Sequence, residues 1–289
     1  MAESISDHAG NKFEANDEER NCLEGKAEEC LADDSDRTPI HPDSRTEWND
    51  ASAPWRRGEF YKSLSSEAMS QVESAGTPFC CPENAVLFAE EQQPCFVLFL
   101  LEGRVKLSMN SIGGRRLILG LSRPGDILGL TFAISGLPYE MTAEAQYPCR
   151  LRSVPRQIFL DFILRNSVAS QNVARELSLE YKETYAQLRL LGLASTAPEK
   201  LARLLIDWCS SGQQTEHGIR IQCALTHGEI GEHIGVSRET VTRTLNDFKN
   251  HRFVEQRGSI MYISNLRGLE AYVGSDCLRD DFKEPSKQP

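Results

Sequence analysis

This sequence predicts an α+β chain of two domains: a small β-barrel, a long helix and a C-terminal helix-turn-helix with a wing. Three observations carry that reading. Short apolar β-type runs broken by glycine fill residues 79–155. A stripe at alternating spacings of four and three follows at residues 170–191. A capped helix, a glycine turn and a second capped helix then occupy residues 226–250. The 289 residues are enough for two separate cores.

The 40% hydrophobic and 26% charged content is that of a water-soluble protein rather than a membrane or wholly disordered one. No stretch approaches the roughly 18–20 apolar residues of a membrane span. The start Met1–Asp7 lacks the basic and apolar blocks of a secretory signal, so a cytoplasmic protein without a membrane partner is expected. The net charge of −10 argues at first sight against a nucleic-acid partner. Yet residues 1–50 hold 15 acidic and 5 basic side chains and account for all of it. The remaining 239 residues carry 27 of each sign, and a neutral body can still present a basic face.

Residues 1–62 are polar, acidic and almost free of apolar periodicity, and are expected to be a mostly disordered tail in which Trp48 and Trp55 are the only docking candidates. A short helix is expected at Leu64–Glu73. The barrel strands are read from Ala85–Phe88, Phe96–Leu101, Val105–Leu107, Leu117–Leu121 and Ile127–Leu130, with turns at Gly103, Gly113, Gly114, Gly125 and Gly136. Helices follow at Arg156–Asn166 and Ser170–Leu191. On the longer one Ser170, Ala174, Leu177, Tyr181, Thr184, Leu188 and Leu191 form a heptad seam. That seam suits pairing with a second copy through Leu177, Tyr181 and Leu188, the alternative being a helix packed on its own barrel. Gly192 is placed to end it, Ser195–Pro198 reads as a hinge, and another helix is expected at Pro198–Ser210.

Residues 225–248 are the most informative. Thr226 and Glu229 have the spacing of a capping box, Ile230 and Ile234 face inward, Gly235 permits a tight turn, and Ser237 caps the next helix. Val241, Leu245 and Phe248 give that helix one apolar face. Arg238, Glu239, Thr242 and Arg243 are left outside, where a recognition helix presents its base-reading groups to the major groove. Arginine pairs with guanine N7 and O6, and a carboxylate accepts from cytosine N4. The competing reading is an intrahelical Glu239–Arg243 pair on a solvated face. Phe253–Ile263 reads as a hairpin turning near Gly258, a wing whose Arg252 and Arg257 are near enough to touch phosphates.

Over residues 64–273 the chain resembles the Crp/Fnr family of regulators. Ala85–Glu90 (AVLFAE) and Leu100–Leu107 (LLEGRVKL) resemble its early barrel strands, Pro124–Leu130 (PGDILGL) its central glycine turn, and Val236–Arg243 (VSRETVTR) its recognition helix. The resemblance implies a cyclic-nucleotide-binding-like β-barrel of the double-stranded β-helix or jelly-roll type at 63–155. Connecting and dimerisation helices are implied at 156–192, a winged helix-turn-helix at 193–273, and a tail at 274–289. It implies Arg238, Glu239 and Arg243 as base contacts with Ser237 and Thr242 beside them, a homodimer on a palindrome resembling TGTGA in double-stranded DNA, and contact with RNA polymerase.

The departures concern the effector. Where the family's cyclic-AMP members have Gly-Glu-Leu, this chain has Gly129-Leu130-Thr131, and near their Arg-Ser or Arg-Thr it has Tyr139–Thr142. Residues 124–149 contain no Lys or Arg, and a buried phosphate without a cation is an uncompensated charge. Gly129, Leu130, Thr131 and Tyr139 are therefore expected to line an effector pocket for something other than a cyclic nucleotide. The six histidines (His8, His41, His217, His227, His233 and His251) all lie outside the barrel, so no haem ligand is offered there. Cys22 and Cys30 do not have the spacing of an iron–sulfur sensor. No cofactor, metal or catalytic residue is expected. Cys80, Cys81, Cys95 and Cys149 are read as buried thiols, with a redox or metal role left open. Two other classes, a signalling scaffold whose wing binds protein and an enzyme, lack supporting motifs.

Overall fold

The computed structural model describes residues 53–210, 212–258 and 260–273. The expected tails at 1–52 and 274–289 lie outside the described residues. Two compact units divide the chain, one of residues up to 107 with 121–179, the other of 108–120 with 180 onward.

Helix α1 (Ser66–Ala75) precedes strands β1 (Thr77–Cys81), β2 (Val86–Phe88), β3 (Phe96–Glu102), β4 (Val105–Asn110), β5 (Arg116–Ser122) and β6 (Ile127–Leu128). The short helix α2 (Leu130–Ser135), β7 (Thr142–Ala145) and β8 (Cys149–Pro155) complete the β-rich part. The strands form two four-stranded sheets, ordered β1-β8-β3-β6 and β2-β7-β4-β5. The barrel is thus a double-sheet jelly roll, not one continuously hydrogen-bonded cylinder. The run expected as a strand through Leu130 ends at Leu128, and Leu130 opens α2 instead.

Two apolar layers hold the first unit together, and β3 belongs to both. Phe96, Leu98 and Leu100 enter the layer with Phe88, Val105, Phe132, Tyr139 and Leu151. Val97, Phe99 and Leu101 face the opposite layer with Trp55, Phe60, Leu130, Val154 and Phe159. Burial on both faces is why β3 reads as an unbroken apolar run rather than an alternating one. The second layer is closed by helix α3 (Arg156–Arg165), the start of helix α4 (Ser167–Leu193) and residues 53–62.

Residues 53–62 depart from the expected solvated tail. Trp55, Phe60 and Tyr61 are buried, with the Phe60 ring 5.4 Å from Phe99 and 5.8 Å from Phe159. The Asn172 amide donates to Phe60 O at 2.8 Å and Lys62 O at 2.6 Å, and Arg56 pairs with Glu73 at 2.8 Å. Three aromatic rings within seven residues bury enough apolar surface to offset the ordering of this short segment.

In the second unit, helix α5 (Ala197–Cys209), β9 (Gln213–Thr215), β10 (Gly218–Gln222), helices α6 (His227–Ile234) and α7 (Arg238–Asn250), β11 (Val254–Arg257), β12 (Ile260–Ile263) and α8 (Leu266–Glu270) follow in order. The strands form one antiparallel sheet, β11-β12-β10-β9. Leu201, Leu204 and Leu205 of α5 are buried, together with Ile221, Met261 and Leu269.

Candidate nucleic-acid interface

Helices α6 and α7 are placed by local chemistry. The Thr226 hydroxyl accepts from Glu229 N at 3.3 Å while Glu229 Oε2 accepts from Thr226 N at 2.9 Å, closing the expected capping box. Ile230 and Ile234 are fully buried. Gly235 ends α6 at φ 70°, a left-handed conformation that a side chain would strain. Sequence reasoning missed a second glycine. A Cβ at Gly231 would lie 2.6 Å from Val236 O, so the turn can fold back on α6 only because position 231 has no side chain. Its signal was the Gly-x-x-x-Gly spacing with Gly235. Gly231→Ala is expected to cost about 1–3 kcal/mol of overpacking strain. Urea denaturation should show a lower midpoint with an unchanged slope.

Ser237 caps α7 by accepting from Thr240 N at 3.2 Å. Val241, Leu245 and Phe248 are buried beneath the helix, and Phe248 alone would cost about 3–5 kcal/mol to truncate to alanine. Arg238, Glu239 and Arg243 are exposed on the opposite side. The Glu239 carboxylate is held below the usual range by its own backbone N–H and then by the Ser237 hydroxyl, with Arg238 adding attraction. Among the described residues no ion pair joins Glu239 to Arg243, so both ends remain available to a ligand.

A shallow depression of about 420 Å³ runs along this face, lined by Arg238, Glu239, Thr242, Arg243, Asn246 and Asp247. Asn246 was not among the expected residues. It lies three beyond Arg243 on the same helical stripe, and an amide is the side chain that pairs with adenine N6 and N7. Thr242 is more engaged than expected: its hydroxyl donates to Arg238 O at 3.0 Å and lies 3.0 Å from His227 Nδ1. Burial first, then Lys249 and Arg238, push the His227 pKa down, so that ring is neutral at neutral pH. The wing is tied to the helix by Lys249 Nζ donating to Gln256 Oε1 at 2.9 Å. Arg257 pairs with Glu255 at 2.8 Å and lies over Tyr262 at 5.5 Å.

The comparisons with known proteins agree with this arrangement. Residues 199–272 match the Crp-like helix-turn-helix domain, and residues 80–166 match the cyclic nucleotide-binding domain. The transcriptional activatory protein AadR of Rhodopseudomonas palustris is 31% identical over 179 residues, which cover 60% of this chain and 71% of that protein. The chain belongs to the Crp/Fnr family. A CRP-like cAMP-activated global transcriptional regulator of Mycobacterium tuberculosis is 24% identical over 214 residues, 74% of this chain and 95% of that one. The structure of FixK2 from Bradyrhizobium japonicum has the same fold, with a TM-score of 0.62 at 21% identity over 69% of this chain and 98% of that one. The relatives are transcription regulators.

Of the four residues expected to line the effector pocket of this Crp/Fnr protein, Gly129 and Tyr139 meet, while Leu130 and Thr131 are placed elsewhere. Tyr139 is buried, stacked on Phe88 at 4.0 Å and edge-on to Phe132 at 5.4 Å, and its hydroxyl donates to Phe96 O at 3.3 Å. Gly129 lies against it, a Cβ there standing 3.1 Å from the Tyr139 ring. Leu130 is buried in the other apolar layer, and Thr131 is exposed on α2. Among the described residues no group of three or more His, Cys, Asp or Glu side chains is placed to hold a metal, and no helix is long and apolar enough to cross a membrane.

Helix α4 is 27 residues long, more than the expected 22, and continues through Gly192 to Leu193. Ala169, Asn172, Val173 and Glu176 are buried, while Leu177 packs partly against the jelly-roll core. Further along, Leu179, Tyr181, Tyr185, Leu188 and Leu193 are all exposed. The Tyr181 and Tyr185 hydroxyls are 2.7 Å apart.

Proposed function

We propose that this protein regulates transcription by binding a palindromic, TGTGA-like operator in double-stranded DNA as a homodimer, with Arg238, Glu239 and Arg243 reading bases. The observation that carries this reading is the exposed, mutually unpaired Arg–Glu–Arg set on the outer face of a helix capped by Ser237 and buried on its inner face. Ser237 sets the helix start, Thr242 stands among the base-reading residues on the outer face, and Arg252 and Arg257 of the wing reach phosphates. Contact with RNA polymerase then sets the output, in the cytoplasm. Fluorescence anisotropy with a duplex carrying two half-sites about 34 Å apart tests it. Affinity should exceed that for a shuffled duplex by about 10³-fold or more. Equal affinities would overturn the reading.

The sensor does not answer to cyclic AMP or cyclic GMP in this reading. Residues 124–149 supply no cation for the phosphate, and Tyr139 packs against Phe88 and Phe132. Hydrogen bonds from backbone N–H groups alone seldom offset desolvation of a phosphate. Calorimetry should show no saturable binding of either nucleotide at millimolar concentration. Micromolar affinity accompanied by tighter operator binding would refute it.

A further inference from the structure

The jelly roll holds two thiols that DNA recognition does not use. Cys81 ends β1 and Cys149 begins β8, and they stand directly opposite each other across the antiparallel pair. Opposed residues on antiparallel strands share a face, with Cβ atoms about 4.5–5.5 Å apart, only slightly beyond the roughly 3.5–4.5 Å of a disulfide. Both side chains enter the layer between the sheets, 2% and 1% exposed. The Cys149 thiol donates to Tyr147 O at 3.0 Å and to Arg104 O at 3.4 Å, with Cys81 beside it across the strand pair. A Cβ at Gly103 would lie 2.6 Å from Cys149 Sγ, so the β3–β4 turn leaves room for that sulfur only as glycine. An apolar setting ordinarily raises a thiol's pKa and makes it inert. Burial does raise Cys80, Cys209 and Cys223, yet a hydrogen bond from Cys81 holds Cys149 below the usual thiol range against the effect of burial.

We propose that Cys81 and Cys149 form a two-electron redox site, converted from dithiol to disulfide by a small hydroperoxide. The Cys149 thiolate attacks the terminal peroxide oxygen and the O–O bond breaks. The departing alkoxide or hydroxide takes a proton, and Cys149 becomes a sulfenic acid. The Cys81 sulfur then attacks Cys149 Sγ, forming the S–S bond and releasing water. Two thiols are oxidised and one peroxide is reduced to alcohol (or water) and water. Low exposure selects for a small oxidant, because a bulky disulfide cannot reach either sulfur. The site stands independently of the DNA-binding reading.

The test uses the full-length reduced protein, treated with a few equivalents of hydrogen peroxide, alkylated, and digested with trypsin without reduction. Mass spectrometry should show the peptide 63–104, which carries Cys80, Cys81 and Cys95, joined to peptide 117–150, which carries only Cys149. Dithiothreitol should release the pair. The link should persist in Cys80→Ser and Cys95→Ser. In Cys81→Ser, Cys149 should instead accumulate as a sulfenic acid that dimedone traps when the oxidised protein is unfolded in its presence, an outcome that inert structural thiols do not give. If Cys81→Ser fails to fold, as judged by circular dichroism, fragmentation of the wild-type linked peptide assigns the partner directly. Cys149 left unmodified, or a link made through Cys80 or Cys95, would overturn the proposal.

Discussion

A charge at Leu188 is expected to split the proposed homodimer and remove tight binding to the two-half-site operator. Leu188 is 60% exposed and Tyr181 63% exposed on a stretch of α4, residues 181–189, where every side chain but the half-buried Gln187 is exposed. Covering each such side chain contributes about 1.5–3 kcal/mol. A two-fold axis through the seam would set Leu188 near its own copy, so Leu188→Glu places two carboxylates in an apolar contact. Each freed half makes too few DNA contacts alone, so operator affinity should fall by about 10²-fold or more. Sedimentation equilibrium reads the result, with Leu164→Glu as a control, because Leu164 is 81% exposed on a different helix. An intact Leu188→Glu dimer would place the seam elsewhere.

Arg243→Ala is expected to cost about 1–3 kcal/mol on the cognate operator and to relax the preference for guanine at one position. The guanidinium is exposed, and among the described residues it makes no ion pair, so neither desolvation of a partner nor loss of fold confuses the measurement. Truncation leaves guanine N7 and O6 without donors, while a different base at that position loses nothing. Anisotropy on a panel of single-base operator variants separates the outcomes. Equal loss on cognate and shuffled duplexes would make Arg243 a phosphate contact.

The DNA-binding half was legible because its determinants are local. Thr226 and Glu229 are three residues apart, Gly235 and Ser237 are two apart, and the inner face of α7 repeats at helical spacing. Asn246 escaped notice because the expected reading stopped after a turn and a half, although the same stripe continues. Gly231 escaped because its requirement is contact with Val236 O across a turn, which no propensity encodes. In the sensor, continuous runs such as Phe96–Leu101 announced buried strands. The strand Cys149–Pro155 did not, since it carries Arg150, Arg152 and Ser153. Arg152 is nevertheless buried, donating to Glu73 O, a partner 79 residues away. Residues 53–62 were hidden for the same reason: Arg56, Arg57, Glu59 and Lys62 give them the composition of a tail, and only tertiary packing buries the rings between. The effector site was the least legible part. Leu130 and Tyr139 look like pocket neighbours in sequence, yet α2 turns them into different layers.

The double burial of β3 has a consequence for how the chain finds its alignment. In most strands an alternation of apolar and polar residues forbids a one-residue slip, since slipping would expose the core. Here both faces are apolar, so sliding β3 by one residue would exchange Phe96, Leu98 and Leu100 with Val97, Phe99 and Leu101 at little cost in hydrophobicity. Something else must count the residues. Glu102 stands opposite Arg150 and pairs with it at 2.8 Å, immediately after an irregularity in the β3–β8 ladder. A slip toward the core would drag that carboxylate away from its cation and under the sheet. The ion pair, worth little as a surface contact, is thus a ratchet tooth: it tells a strand that cannot distinguish its own two sides where to stop.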